Sequence, residues 1–389
     1  MQPTTTRRPL LTGLTAAIAI GALLAGCGSS TGKSATNTTS PSSSSSPGTG
    51  NVLKVGYLLD GSITDSDYNE QQYRNAEAAQ SSIGSKISTD IKQNVPQGPQ
   101  AAQTVKAMIA SGDKLIFITT TGDETYLKSV AAANPGIRFE NFESAITEPN
   151  YGAYNVNIGQ GAYIGGMTMA GASKTGHLGV VASFPFPGIL QQVNGLELGA
   201  QAVNPNATLK VIFVSSFFDP AKESQAAQAL IASGVDAIAD IQNDQAACVT
   251  AETDNVPCEA QTLLNGPSYA PKMFLSDFNY NWTPIFEKVI SLTLAGQTIP
   301  QSIFYGWPEG ATQIAEKGAN WGTLVSTTAQ SEIAAKETAL QNGLKIFKGP
   351  IEDQSGNVKV PAGQTLSVSQ ILSLNWAVKG VIGSVSASG

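Results

Sequence analysis

Val52-Leu53-Lys54-Val55-Gly56-Tyr57-Leu58-Leu59 is followed directly by Asp60-Gly61-Ser62-Ile63-Thr64-Asp65. The first eight residues are apolar on both faces apart from Lys54, the pattern of a strand buried in a parallel sheet. The next six are turn formers. Apolar residues then fall at helical spacing through Tyr73, Ala76, Ala79 and Ile83. Strand, loop and helix in that order form the repeating unit of a doubly wound α/β fold.

Working outward, the unit recurs. The pattern predicts a strand over 86–91, a helix over 100–110, a strand over 114–119, a helix over 125–133 and a short strand over 137–139. A helix rich in Gly and Ala is expected over 163–172. The rhythm restarts near residue 176, with strands over 177–182, 209–214 and 236–240 and helices over 190–203 and 221–232. Residues 51–175 therefore read as lobe 1, completed by segments after about 275, and 176–275 as lobe 2. The remainder, 276–389, is expected to supply crossover segments, a hairpin around Asp353-Gln354-Ser355-Gly356-Asn357 and a last helix including 372–378.

The N-terminus has its own layout. Arg7 and Arg8 precede an uncharged apolar run that ends in Leu24-Ala25-Gly26-Cys27. A positive segment followed by an apolar one is the form of a secretory signal peptide, here residues 1–26. The run is short of the ~20 residues a spanning helix needs. Small residues leading into Cys27 resemble the lipobox of bacterial lipoproteins, which implies a diacylated Cys27 on the outer face of the cell membrane. Arg7-Arg8 also resembles a twin-arginine signal without its full context. Residues 27–50 include Ser42 to Ser46 and almost nothing apolar, so they read as a flexible tether.

Composition removes several classes of function. Charged residues make up 13% of the 389 and the formal charge is −7. No basic stripe is present, which argues against nucleic acid. Three cysteines and one histidine do not make a zinc set. With Cys27 taken by lipid, Cys248 and Cys258 remain as a pair in an oxidising compartment, either bonded or as two buried thiols. Gly159 to Gly171 lacks the dinucleotide fingerprint and reads as helix packing. His177 has no nucleophile pattern near it and reads as an exposed loop histidine. Asp65 and Asp67 could pair as acid and base, but a turn and an N-cap, the latter at Asp67, is the simpler reading. No catalytic residue, cofactor or metal is expected.

Open parallel sheets bind ligands at the carboxyl ends of their strands. Two such lobes would face each other across a cleft. Asp65, Tyr68 and Asn69 follow the first strand, Thr120 the third, Phe186 the fifth, Phe217 the sixth and Asp244 the seventh. Aromatic rings can sandwich a flat ligand while amides and carboxylates read its polar edge. Trp282, after a further strand end, is the best extra candidate, ahead of Trp307 and Trp321.

Longer segments carry a resemblance. Asn194-Gly195-Leu196-Glu197-Leu198-Gly199-Ala200-Gln201-Ala202-Val203-Asn204-Pro205, Phe217-Phe218-Asp219-Pro220-Ala221-Lys222-Glu223, Asn94-Val95-Pro96-Gln97-Gly98, Phe184-Pro185-Phe186-Pro187, Val360-Pro361-Ala362-Gly363-Gln364-Thr365-Leu366 and Leu374-Asn375-Trp376-Ala377-Val378-Lys379-Gly380-Val381 are similar to the basic membrane protein family of ABC-transporter substrate-binding lipoproteins. That family includes purine-nucleoside receptors. The resemblance implies a type I periplasmic-binding-protein fold, acting as a monomer that delivers a purine nucleoside or base to a membrane permease. It also implies that Tyr68, in Asp65-Ser66-Asp67-Tyr68-Asn69, and Phe217 stack on the purine. Two stretches depart from the family. Its Gly-Val-Asp-Ser-Asp-Gln strand end, whose aspartate holds ribose, is replaced by Cys258-Glu259-Ala260-Gln261-Thr262. Its glycine-rich loop after the seventh strand is replaced by Gln242-Asn243-Asp244-Gln245, where Asp244 takes a polar role. A nucleoside hydrolase would need a convergent acid cluster, for which Asp60, Asp65 and Asp67 are the only grouping. A surface lipoprotein gripping macromolecules would need a large apolar or charged patch.

Overall fold

A computed structural model of the protein describes residues 52–385. The expected signal peptide, Cys27 and the tether lie outside them.

Lobe 1 is built on six parallel strands: β1 (Leu53–Leu58), β2 (Ile87–Lys92), β3 (Leu115–Ile118), β4 (Arg138–Phe142), β5 (Tyr151–Val156) and, far along the chain, β11 (Ser302–Tyr305). Their order is β11-β5-β4-β3-β1-β2. Helices α1 (Tyr68–Ile83), α2 (Pro99–Ala110) and α3 (Glu124–Ala133) alternate with the strands, and α9 (Thr283–Leu294) packs on α1.

Lobe 2 uses β6 (His177–Ala182), β7 (Thr208–Phe213), β8 (Ala237–Ile241), β9 (Cys258–Gln261), β10 (Phe274–Tyr280), β12 (Thr312–Lys317) and β15 (Val381–Ile382). The order is β12-β10-β9-β8-β6-β7-β15, parallel except for the β10–β12 pair. Its helices include α4 (Gly159–Ala172), α5 (Pro187–Val203), α6 (Pro220–Ala232), α7 (Ala246–Thr253), α8 (Gly266–Tyr269), α10 (Trp321–Leu324) and α11 (Thr327–Gln341). A hairpin of β13 (Ile351–Glu352) and β14 (Val358–Val360) precedes the short α12 (Val368–Ile371).

The chain crosses between the lobes after β5, after β10 and after β11. The expected boundaries shift accordingly. Helix α4, expected in lobe 1, packs on α5, α11 and the second sheet. It is apolar all round and needs neighbours on every side. Gly166 and Gly199 bring α4 and α5 into backbone contact, since a Cβ at either would overlap the facing carbonyl of Leu196 or Tyr163. Of the segments after 275, only α9 and β11 complete lobe 1; β10, β12 and β15 extend the sheet of lobe 2.

The last helix also differs from expectation. It spans Val368–Ile371, and 372–378 is irregular. Ser367 and Gln370 form a capping box that starts the helix early. Beyond it, Leu374, Ala377 and Val378 are buried as an extended strap. Asn194 of α5 pins that strap, donating to the Trp376 carbonyl and accepting from the Val378 N–H.

Candidate functional site

In each sheet the order reverses at one strand. β1 has β2 on one side and β3 on the other, and β6 lies between β7 and β8. Loops leaving such a switch point diverge and open a crevice. The loops after β1 and β3 face those after β6, β7 and β8 across a cavity of about 100 Å³. At roughly 10–15 Å³ for one water-sized guest, that is room for a compact ring system.

Four of the expected residues line this cavity: Tyr68, Thr120, Phe186 and Phe217. Tyr68 is the first residue of α1. Its hydroxyl donates to the Thr119 carbonyl at 2.5 Å and accepts from Gln72 Nε2 at 3.3 Å. Its ring meets Trp282 edge to face at 5.2 Å and Tyr280 at 6.3 Å. In lobe 2, Phe217 packs against Phe184 at 5.0 Å and Phe186 at 6.0 Å. The Phe217 carbonyl accepts from the Asn243 N–H, which joins the rim of β7 to that of β8.

The other four stand behind the wall. Asp65 accepts from the N–H groups of Asp67, Asn69 and Glu70 and from Asn69 Nδ2. It therefore does the capping work expected of Asp67, and its lone pairs are consumed in setting the start of α1. Asn69 accepts from the Gly61 N–H and holds the turn closed. Asp244 is 3% exposed and accepts from the Ala246 N–H. Beside it, burial and the Asp244 carboxylate push Glu223 up to about 9, so Glu223 keeps its proton at neutral pH. Trp282 is fully buried and stacks on Tyr280 at 4.9 Å, so Tyr280 rather than Trp282 reaches the cavity.

Asp60, Gln97, Glu143, Gln192, Asn243 and Gln261, none of them among the expected ligand-binding residues, also line the cavity. Glu143 directly follows β4 in a left-handed conformation, φ +51°. Its carboxylate lies against Gly188 in the first turn of α5, where a Cβ would crowd it. Burial pushes Glu143 up to about 7 and also raises Asp60. An acid four residues past the predicted 137–139 strand was the available signal. The lining holds two carboxylates, four side-chain amides, hydroxyls and aromatic rings, and no Lys, Arg or His. Such a set offers stacking faces and mostly acceptors to a flat molecule with N–H groups.

The expected pairing of Cys248 with Cys258 is present, joining α7 to β9 with a Cα separation of 5.4 Å. His177 is exposed at the start of β6. Among the described residues, no group of three or more His, Cys, Asp or Glu is arranged to hold a metal ion, and no helix is long and apolar enough to cross a membrane.

Two α/β lobes joined by three crossings, with a cleft lined from both sides, define a type I periplasmic-binding-protein fold. Solved structures agree at the level of fold. A solute-binding protein of an ABC transporter from Conexibacter woesei has TM-score 0.63 and 20% identity, covering 75% of this chain and 97% of its own. One from Aeropyrum pernix K1 has TM-score 0.64 and 15% identity, covering 77% and 93%. Residues 52–262 match the Bmp family, described as ABC transporter substrate-binding protein PnrA-like. A Brucella abortus (strain 2308) protein described as purine-binding is 32% identical over 332 residues, 85% of this chain and 93% of the relative. The chain belongs to the Bmp family, and is a substrate-binding protein of an ABC transporter that acts outside the cytoplasm.

Proposed function

We propose that this protein captures a purine, as free base or nucleoside, and presents it to an ABC permease from a lipid anchor on Cys27. The observation that carries the reading is the placement of Tyr68 from lobe 1 and Phe186 and Phe217 from lobe 2 around one cavity sized for a ring system. Asp60, Glu143, Gln97, Asn243 and Gln261 stand ready to read the ring's N–H and carbonyl edge. The Brucella relative described as purine-binding supports the same ligand class. Contacts from both lobes favour the closed form, so the ligand drives closure, and the chain binds without turnover.

A thermal-shift screen of purine bases, nucleosides, glucose and amino acids tests this, because a ligand that binds only the folded state raises the melting temperature by mass action. Purines should shift the melt and remain chemically unchanged. A shift with glucose or an amino acid and none with any purine would refute the ligand class; product formed from adenosine or inosine would refute the receptor role.

A further inference from the structure

Asp67 is a buried carboxyl that the proposed site leaves unused. It precedes α1 in lobe 1, is 1% exposed, and neither carboxylate oxygen has a hydrogen-bond partner. The charged groups acting on it most strongly are all acids. Asp65 lies on its own loop; Asp277 of β10, Asp240 at the end of β8 and Asp244 in the following loop belong to lobe 2. Asp240 keeps one oxygen without a partner, while protonated Glu223 of α6 lies within hydrogen-bond reach of Asp244. Glu316 of β12 adds negative charge behind Asp277, and Asp60 faces Asp65 from lobe 1.

The two lobes touch here. The Leu264 N–H of lobe 2 donates to the Ser66 carbonyl of lobe 1 at 3.0 Å. Ser66 holds a left-handed φ of +67°, which turns the chain so that Asp67 follows this contact inward. Closure thus buries the Asp67 carboxyl, which has no hydrogen bond, in the field of three lobe 2 acids that each accept a backbone N–H from their own lobe. A buried carboxyl without a partner, as at Asp67, sheds its charge rather than keep it.

We propose that closing the cleft takes up protons at the Asp67 cluster, so that ligand capture is coupled to acidity. When the lobes part, water reaches Asp67 and the burial that penalises its charged form is relieved. In the closed form burial first, and the facing acids second, raise Asp67 well above that range. Burial does the same for Asp240 and Asp277. A group whose pKa is higher in the closed state favours closure fully below its open-state value, and that preference is lost as pH rises through the closed-state value. The step moves a proton from solvent to a carboxylate oxygen on closing and returns it on opening.

The inference rests on capture by lobe closure and not on which solute is captured. The test titrates adenosine calorimetrically from pH 5 to pH 8, and at pH 6.5 in two buffers of different ionisation enthalpy. Affinity should weaken with rising pH, by up to about tenfold per pH unit for each proton taken up, and the heats should differ between the buffers. Asp67→Asn, and Asp67→Ser as a second variant, should flatten the profile and bind more tightly than the parent at pH 8. A pH-independent affinity with equal heats, an unchanged slope in both variants, or affinity that follows added Ca²⁺ without proton uptake would overturn it. If adenosine gives no heat, X-ray scattering of the ligand-free protein provides the separate readout. Compaction at pH 5 relative to pH 8 in the parent, absent in Asp67→Asn, supports the coupling even though the purine reading has failed; equal radii in the parent overturn it.

Discussion

The Tyr68 hydroxyl donates to the Thr119 carbonyl at 2.5 Å, tying the first residue of α1 to the end of β3. Trp282 closes on the ring edge to face at 5.2 Å. Tyr68 therefore has a fixed tilt before any ligand arrives, and such preorganisation lowers the cost of binding. Tyr68→Ala should weaken purine binding by about 1–3 kcal/mol, the worth of one stacked base. Tyr68→Phe keeps the face and loses both hydrogen bonds of the hydroxyl, each worth about 0.5–1.5 kcal/mol. Calorimetry on both variants separates the two contributions.

Phe217 should behave differently in stability. It is 44% exposed, so Phe217→Ala should lower affinity by a similar stacking increment while changing folding stability by less than ~1 kcal/mol. Paired measurements of affinity and melting temperature check this; a large stability loss with unchanged affinity would assign Phe217 to packing alone.

Gly166→Ala tests the helix contact that holds lobe 2 together. The added methyl would overlap the Leu196 carbonyl, and backbone does not yield as a side chain does. Overpacking of this kind costs about 1–3 kcal/mol or more, readable as a lower midpoint in urea. Gly234→Ala is no control, because its φ of +93° adds strain of its own.

The Cys248–Cys258 bond closes a loop with a sequence separation of 10. On the chain-entropy account its removal costs about 2–3 kcal/mol. Both cysteines are fully buried, so the double variant Cys248→Ala/Cys258→Ala is preferable to reductant. Asn243 precedes α7 and Gln261 ends β9, the two elements the bond joins, and both line the cavity, so affinity should fall with stability.

Stability should decline with pH on account of Glu197. Burial pushes it up to about 8, against a smaller opposing effect of its bond from Gln201. A carboxyl raised in the folded state contributes stability that is present below its unfolded value, near 4.3, and is lost as pH rises through 8. Glu197→Gln should raise the melting temperature at pH 9 and leave it little changed at pH 5.

Much of lobe 1 was legible because buried parallel strands such as Leu115–Ile118 announce themselves as unbroken apolar runs. Strand β10 was legible only at its end, before Trp282, since Ser276, Asp277 and Asn279 are polar yet buried. β11 and β12 pair with strands remote in sequence, and no local pattern states which sheet will accept them. The lobe served by α4 depended on its partner helix rather than on its own composition. Among the residues lining the cavity, Tyr68 and Phe186 follow the switch-point strands β1 and β6, and Thr120 and Phe217 follow their neighbours β3 and β7, so their places were legible from the strand ends. Tyr280 and Glu143 escaped because one arrives by a crossing strand and the other owes its place to the bare Cα of Gly188.

The most direct measurement is calorimetric titration of adenosine and hypoxanthine into the purified protein and into Tyr68→Ala. The account predicts saturable one-to-one binding of at least one purine by the parent, weakened at least about fivefold in the variant. Equal affinity in the two proteins, or no purine binding alongside tight binding of glucose, would contradict it.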